Sequence, residues 1–166
     1  ITQLALFMGA RRGEICGLRW SDVDLDAGTI SIERTLQYIP GKGTVFTSPK
    51  TKRSRRCIKM GADCVQLLQE YRKHQKAERF KIGSEWVRKV EIESKTVEND
   101  LLFTKWNGAP IDPKTVTTWF PGFLAAHDLP LVHFHSLRHT FATRALEAGI
   151  PIKYCSTTVS YTHLTL

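Results

Sequence analysis

The sequence has few of the features that mark membrane, disulfide-rich and zinc-binding proteins. No apolar run in its 166 residues is long enough to span a bilayer. No Cys-x-x-Cys pair occurs, which argues against a structural zinc site. Four cysteines in a chain of this length do not indicate a disulfide scaffold, so we expect reduced thiols in a cytoplasmic protein.

Acidic residues are also in the minority, with 16 Asp and Glu against 24 Lys and Arg and a net charge of +8. This balance favours a polyanionic partner, most simply nucleic acid. A protein that is merely basic explains the charge equally well, so composition alone leaves both interpretations open. No internal repeat or low-complexity segment is present, and a hydrophobic content of 42% suffices for the core of one domain.

The apolar pattern predicts an α+β domain that is mostly helical, with a small three-stranded antiparallel sheet. Alternation over 30–32 indicates one strand. Two further strands are expected around 44–47 and 56–60, joined by a basic turn. The middle of the chain therefore forms the sheet.

Helical spacing predicts a long helix over 62–80, and the polar segment 81–99 predicts a loop. Asp112 as N-cap and Pro113 at the first helical position mark the start of another helix. Pro121-Gly122 is expected to break or kink it.

The stretch HFHSLRHTFATR, residues 133–144, holds three histidines and two arginines. His135 and Arg138 lie three residues apart on a predicted helix and so share a face, with His139 one step around from Arg138. These side chains suit one corner of an active site. They could equally face solvent or satisfy hydrogen bonds in the core.

A second basic stretch, GARRGEICGLRW, places two arginines after a glycine and before a glutamate. Arg11 or Arg12 could project from a turn between helices, and Glu14 could hold a guanidinium in a bidentate pair. The alternative is a solvated basic turn.

A third stretch, SPKTKRSRRCIK, carries a cluster of basic residues that could track a phosphate backbone. A solvated charged turn is the alternative. The basic residues of this stretch are Lys50, Lys52, Arg53, Arg55, Arg56 and Lys59.

Together the three stretches supply two arginines, a lysine and a histidine without a metal-ligand cluster. This set suits phosphoryl transfer that uses neither a metal nor a cofactor. Two guanidinium groups can clamp the nonbridging oxygens, and losing one preorganised donor costs about 10²–10³ in rate. A lysine and a histidine can move the two protons, each transfer contributing roughly 10²–10⁴.

The same stretches resemble those of the tyrosine recombinases, the phage-integrase family. HSLRHTFAT is similar to the family's His-x-x-Arg box, GARRGEICGLRWSDVDL to its first arginine box and SPKTKRSRR to its lysine hairpin. The resemblance runs from the N-terminus to about Lys153. It implies site-specific recombination of DNA attachment sites by a tetramer, through a 3′-phosphotyrosyl intermediate.

The resemblance also implies individual roles. Arg11 and Arg138 would be the phosphate clamps, Lys50 the general acid and His135 the proton-handling histidine. Glu14 would buttress Arg11, with His139 in support. The DNA-contacting residues would be Lys52, Arg53, Arg55 and Arg56.

The two ends of the sequence depart from the family pattern. The first residues, ITQLALFMGA, suggest a fragment boundary, and we expect residues 1–153 to be a partial catalytic domain of a bacterial or phage-encoded protein. The last eight residues, VSYTHLTL, match the translation of a transposon end used in sequencing libraries, so residues 154–166 are expected to be a non-family tail. Tyr161 then only mimics the family's nucleophile, Tyr154 is no better placed, and this chain would not cleave DNA.

Two rival functions remain at this point. A non-catalytic DNA-binding module could use the same basic surface, and a structural or interaction domain could carry these charges merely on its exterior. Convergence of Arg11, Lys50, His135 and Arg138 on one phosphate-sized pocket would favour the enzyme.

Overall fold

The computed structural model describes residues 1–48 and 55–151. Its helices are α1 (Thr2–Met8), α2 (Arg12–Cys16), α3 (Ala62–Ile82), α4 (Pro113–Ala126) and α5 (Ser136–Glu147). Its strands are β1 (Val23–Asp24), β2 (Thr29–Ile32), β3 (Thr35–Ile39), β4 (Gly43–Thr47), β5 (Arg56–Lys59), β6 (Lys89–Ile92) and β7 (Lys95–Glu98). No helix in these two ranges is both long and apolar enough to cross a bilayer.

The predicted α+β class is confirmed, but the predicted strands do not share one sheet. The three-stranded antiparallel sheet has the order β1-β2-β5, with Ile30 opposite Ile58. Strand β4 pairs instead with β3, which the sequence pattern missed. The short turn between Ile39 and Gly43 closes that hairpin with little loss of entropy. The basic segment after β4 therefore joins two different sheets.

The loop predicted over 81–99 is wrong, because β6 and β7 form an antiparallel hairpin there. Val90 and Ile92 alternate toward the core, as a half-buried strand requires. The turn between the strands places Glu93 and Ser94 at positive φ, 50° and 63°. Since turns of this kind usually carry glycine or asparagine, no ordinary turn signal marks the hairpin.

Of the break or kink expected at Pro121, the break is wrong, because α4 continues through this residue to Ala126. Proline removes the backbone hydrogen bond to the carbonyl four residues earlier. Pro121 is exposed, so water can reach the carbonyl that is left without its helical donor. On another face of α4, Val116, Phe120 and Leu124 are buried and attach the helix to the core.

Helices α1 and α5 pack together. Their packing brings the stretches GARRGEICGLRW and HFHSLRHTFATR into one region. Helix α1 ends at Gly9, which adopts the left-handed conformation with φ 57°. A Cβ on Gly9 would lie 2.3 Å from Cδ1 of Phe141 on α5. Glycine at this position therefore permits both the turn into α2 and the close approach of α5.

Candidate active site

The turn after Gly9 places Arg11 at the N-cap of α2 and Glu14 in its first turn. Oε2 of Glu14 accepts a hydrogen bond from the backbone N–H of Arg11, at 2.8 Å, and caps the helix. Oε1 of the same carboxylate accepts from Nη1 of Arg11, at 3.0 Å. The backbone and the guanidinium of Arg11 are thus both held by one buried carboxylate.

Arg138 reaches the same region from α5, 127 residues further along the chain than Arg11. Its Nη1 donates to the backbone carbonyl of Gly9 at 2.6 Å. The side chain is buried, with only 3% of the residue exposed. The conformation of Gly9 therefore helps to set the direction of the Arg138 guanidinium.

Arg11, His135 and Arg138 line one open pocket of about 340 Å³. The other residues around it come from the turn after Gly9, from α2, from α4 and from the segment that leads into α5. They are Ala10, Arg12, Gly13, Thr117, His133 and Phe134. Three of the four residues expected to share a pocket are therefore brought together. The fourth, Lys50, lies outside the described residues.

His135 stands at the start of α5 with its ring edge-on to His139, the ring centroids being 5.1 Å apart. Partial burial and then the nearby charges of His139, Arg138 and Arg11 hold the pKa of His135 below its ordinary value. The ring is accordingly neutral near pH 7 and has a nitrogen that can accept a proton.

Arg56 requires a correction, because it was expected to contact DNA. Its side chain is only 6% exposed, and its guanidinium forms a bidentate pair with Glu14. Nη1 donates to Oε1 at 3.1 Å and Nη2 donates to Oε2 at 2.7 Å. Since Glu14 engages both Nη atoms and Arg56 is not among the residues that line the pocket, this guanidinium is not placed to contact a phosphate backbone. The bidentate partner of Glu14 is thus Arg56, whereas the sequence suggested Arg11 or Arg12.

Glu14 consequently sits between two arginines. Burial would raise the pKa of this carboxyl, but the hydrogen bonds and charges of Arg56 and Arg11 outweigh it, so the pKa of Glu14 lies below its ordinary value. The carboxylate remains charged at neutral pH and continues to orient both guanidinium groups.

Among the remaining candidates, Arg55 lies within the described ranges. The side chain of Arg55 is 58% exposed, and its Nε lies 3.7 Å from Oε2 of Glu33. Lys52, Arg53, Tyr154 and Tyr161 lie outside the described residues. Within the ranges 1–48 and 55–151, no group of three or more His, Cys, Asp or Glu side chains is arranged to hold a metal ion.

Three further polar side chains line the pocket, of which the sequence analysis named Arg12 as an alternative to Arg11 and assigned no role to Thr117 or His133. Arg12 was set aside in favour of Arg11, yet its Nη1 donates to Oγ1 of Thr117 on α4. His133 precedes His135 by two residues, and that proximity was the available signal. For Thr117 the sequence offered none, because an exposed threonine in a helix is unremarkable.

Comparison with known proteins shows the same likeness along nearly the whole chain. The model of the phage integrase family matches residues 1–165. A XerC-like tyrosine recombinase of Caldanaerobacter subterraneus subsp. tengcongensis is 30% identical over 171 residues, covering 98% of this chain and 42% of that protein. Tyrosine recombinase XerC of Halalkalibacterium halodurans is 31% identical over 169 residues, covering 95% of this chain and 46% of that protein.

Among solved structures, the integrase of transposon Tn1549 in complex with circular intermediate DNA superposes with a TM-score of 0.81 at 25% identity. That match covers 98% of this chain and 51% of the other. XerA recombinase gives a TM-score of 0.67 at 25% identity, over 96% of this chain and 47% of that one. The chain thus spans about half the length of the relatives it matches.

Proposed function

The chain belongs to the phage integrase family, and on this premise we propose that the full-length protein carries out site-specific DNA recombination. The reaction is a metal-free transesterification through a 3′-phosphotyrosyl intermediate, of the kind that integrates or excises a phage or mobile element. Curated relatives named tyrosine recombinase and a relative solved with circular intermediate DNA support the assignment.

The observation that carries this proposal is the meeting of Arg11, His135 and Arg138 in one pocket. A DNA-binding module needs basic residues spread along a surface, because it touches many phosphates. Two guanidinium groups and a neutral imidazole around one cavity suit the chemistry of a single phosphodiester.

In the proposed mechanism, Arg11 and Arg138 bind the nonbridging oxygens of the scissile phosphate and stabilise the charge that builds there. His135 handles the proton of the attacking hydroxyl. Lys50 protonates the departing 5′-hydroxyl. The phosphodiester energy is retained in the protein–DNA bond, so a second strand's 5′-hydroxyl can attack the phosphotyrosyl group, form a new phosphodiester and release the tyrosine.

We propose that double-stranded DNA attachment sites are the partner, with a tetramer assembled on them and Lys52, Arg53 and Arg55 along the backbone. The protein is proposed to act in the cytoplasm. DNA binding by this chain should be weak, with little sequence preference and a steep loss of affinity as salt is added. A titration without binding at low salt, or with binding indifferent to salt, would contradict this.

The catalytic part of the proposal is tested by trapping the covalent intermediate. The full-length protein, incubated with a nicked suicide substrate that bears its attachment site, should give a covalent protein–DNA band. Arg138→Ala should lower the rate by about 10²–10³. Arg144→Ala is the matched control, since Arg144 lies on the same helix with its side chain 80% exposed. Equal rates for the two variants would refute the clamp.

The family match extends to residue 165. That residues 154–166 are a non-family tail nevertheless remains a prediction. We propose that residues 154–166 are a non-family tail behind the partial catalytic domain of residues 1–153, and that this 166-residue chain forms no covalent band. A band from this chain that Tyr161→Phe abolishes and Tyr154→Phe leaves intact would show that the tail is genuine.

A further inference from the structure

Arg56 is a buried arginine to which the proposed mechanism gives no task. It is the first residue of β5, and its bidentate pair with Glu14 has N–O distances of 3.1 and 2.7 Å. The same carboxylate holds the guanidinium of Arg11 at 3.0 Å. One carboxylate therefore binds two guanidinium groups from distant parts of the sequence.

The two arginines differ in exposure. The side chain of Arg11 is 44% exposed and lines the pocket, whereas that of Arg56 is 6% exposed and does not line it. With Glu14 between them, the three side chains carry a net charge of +1. Without Arg56, Glu14 would neutralise Arg11, and the pocket would attract a phosphate less strongly.

We propose that Arg56 is a positioning and charge-balancing residue of the pocket. It neutralises Glu14 and fixes its carboxylate, so that Glu14 can orient Arg11 without cancelling its positive charge toward a phosphodiester. The inference rests on the proposed function, since it assumes that the pocket binds phosphate. An ion pair that serves stability alone would leave phosphate affinity unchanged whenever the variant folds.

The test measures binding of inorganic phosphate to the 166-residue chain by ³¹P NMR at low ionic strength. Arg56→Met should weaken binding about tenfold, because Glu14 then neutralises Arg11. Adding Glu14→Gln should return the affinity to within about threefold of the unaltered chain, because both charges of the pair are then gone.

The matched control is Arg34→Met. Arg34 is a second shielded arginine, 15% exposed and paired with Asp22, and it does not line the pocket. Its replacement removes the same charge and should change phosphate affinity less than about twofold. Thermal melting of each variant establishes that the affinities compared belong to folded chains.

The inference is overturned if folded Arg56→Met binds phosphate as the unaltered chain does, or if the double variant binds as weakly as Arg56→Met. Should Arg56→Met not fold, Arg56→Lys keeps the charge and must bind within about threefold of the unaltered chain. A tenfold loss in folded Arg56→Lys would overturn the charge account. Failure of the unaltered chain to bind phosphate would instead refute the proposed function of the pocket, and the inference with it.

Discussion

Replacing Gly9 with alanine should destabilise the protein and disturb the site together. Two costs add at this residue. A non-glycine residue held at φ 57° loses about 1–2 kcal/mol. The new Cβ would also lie 2.3 Å from Cδ1 and 2.9 Å from Cγ of Phe141, an overlap that typically costs about 1–3 kcal/mol when the neighbours must shift. The expected loss of unfolding free energy is about 2–5 kcal/mol.

Urea denaturation followed by tryptophan fluorescence measures this loss, and Gly41→Ala provides the matched control. Gly41 has φ 78° but no atom within 4 Å of its Cβ position. It therefore reports the conformational cost alone, about 1–2 kcal/mol. The difference between the two variants is the cost of crowding between α1 and α5.

A double-mutant cycle with Phe141→Leu tests the cause directly. The smaller side chain should relieve the overlap, so the double variant should lose about 0.5–3 kcal/mol less than the sum of the single variants. Equal losses for Gly9→Ala and Gly41→Ala, or an additive cycle, would refute the argument that Phe141 requires glycine at this position.

Three further predictions concern titratable groups. The folded-state pKa of Glu14 is lowered, so its contribution to stability is present above the unfolded-state pKa and is lost as pH falls through the folded-state pKa. Urea denaturation from pH 5 downward should therefore show a smaller loss of stability in Glu14→Gln than in the unaltered chain. The folded-state pKa of His135 is lowered, so NMR titration should place it below the ordinary value, and His139→Gln should raise it. Burial raises the pKa of Cys16 to about 12, whereas Cys57 is exposed. At pH 8 a thiol reagent should therefore label Cys57 in the folded chain and Cys16 only after unfolding, as peptide mapping of the labelled residues would show.

Local signals in the sequence were sufficient for much of the fold. The long apolar spacing of α3, the Asp112-Pro113 start of α4 and the alternation in β2 each depend on neighbouring residues, and each of these elements forms. The pairing of the strands could not be predicted in the same way. Strand β4 pairs with β3, to which a short turn connects it, and not with the sheet that contains β2 and β5. The β6–β7 hairpin was not predicted, because its turn carries Glu93 and Ser94 in place of glycine.

The candidate site also combines features that the sequence indicated with features that only the tertiary structure decided. Residue type and spacing singled out His135 and Arg138 and left Arg11 and Arg12 open, and the resemblance to the tyrosine recombinases then implied Arg11. The tertiary structure decided that they share a pocket, since the packing of α1 against α5 brings the first helix and the last described helix together.

Arg56 is the clearest case of what the sequence could not determine. In a run of basic residues it is indistinguishable from Arg55, yet one guanidinium is buried against Glu14 and the other is exposed. Side chains alternate between the two sides of a strand, so neighbours at the start of β5 can point to the core and to solvent. Which of them points inward depends on the register of β5 against β2, and that register is a property of the folded chain.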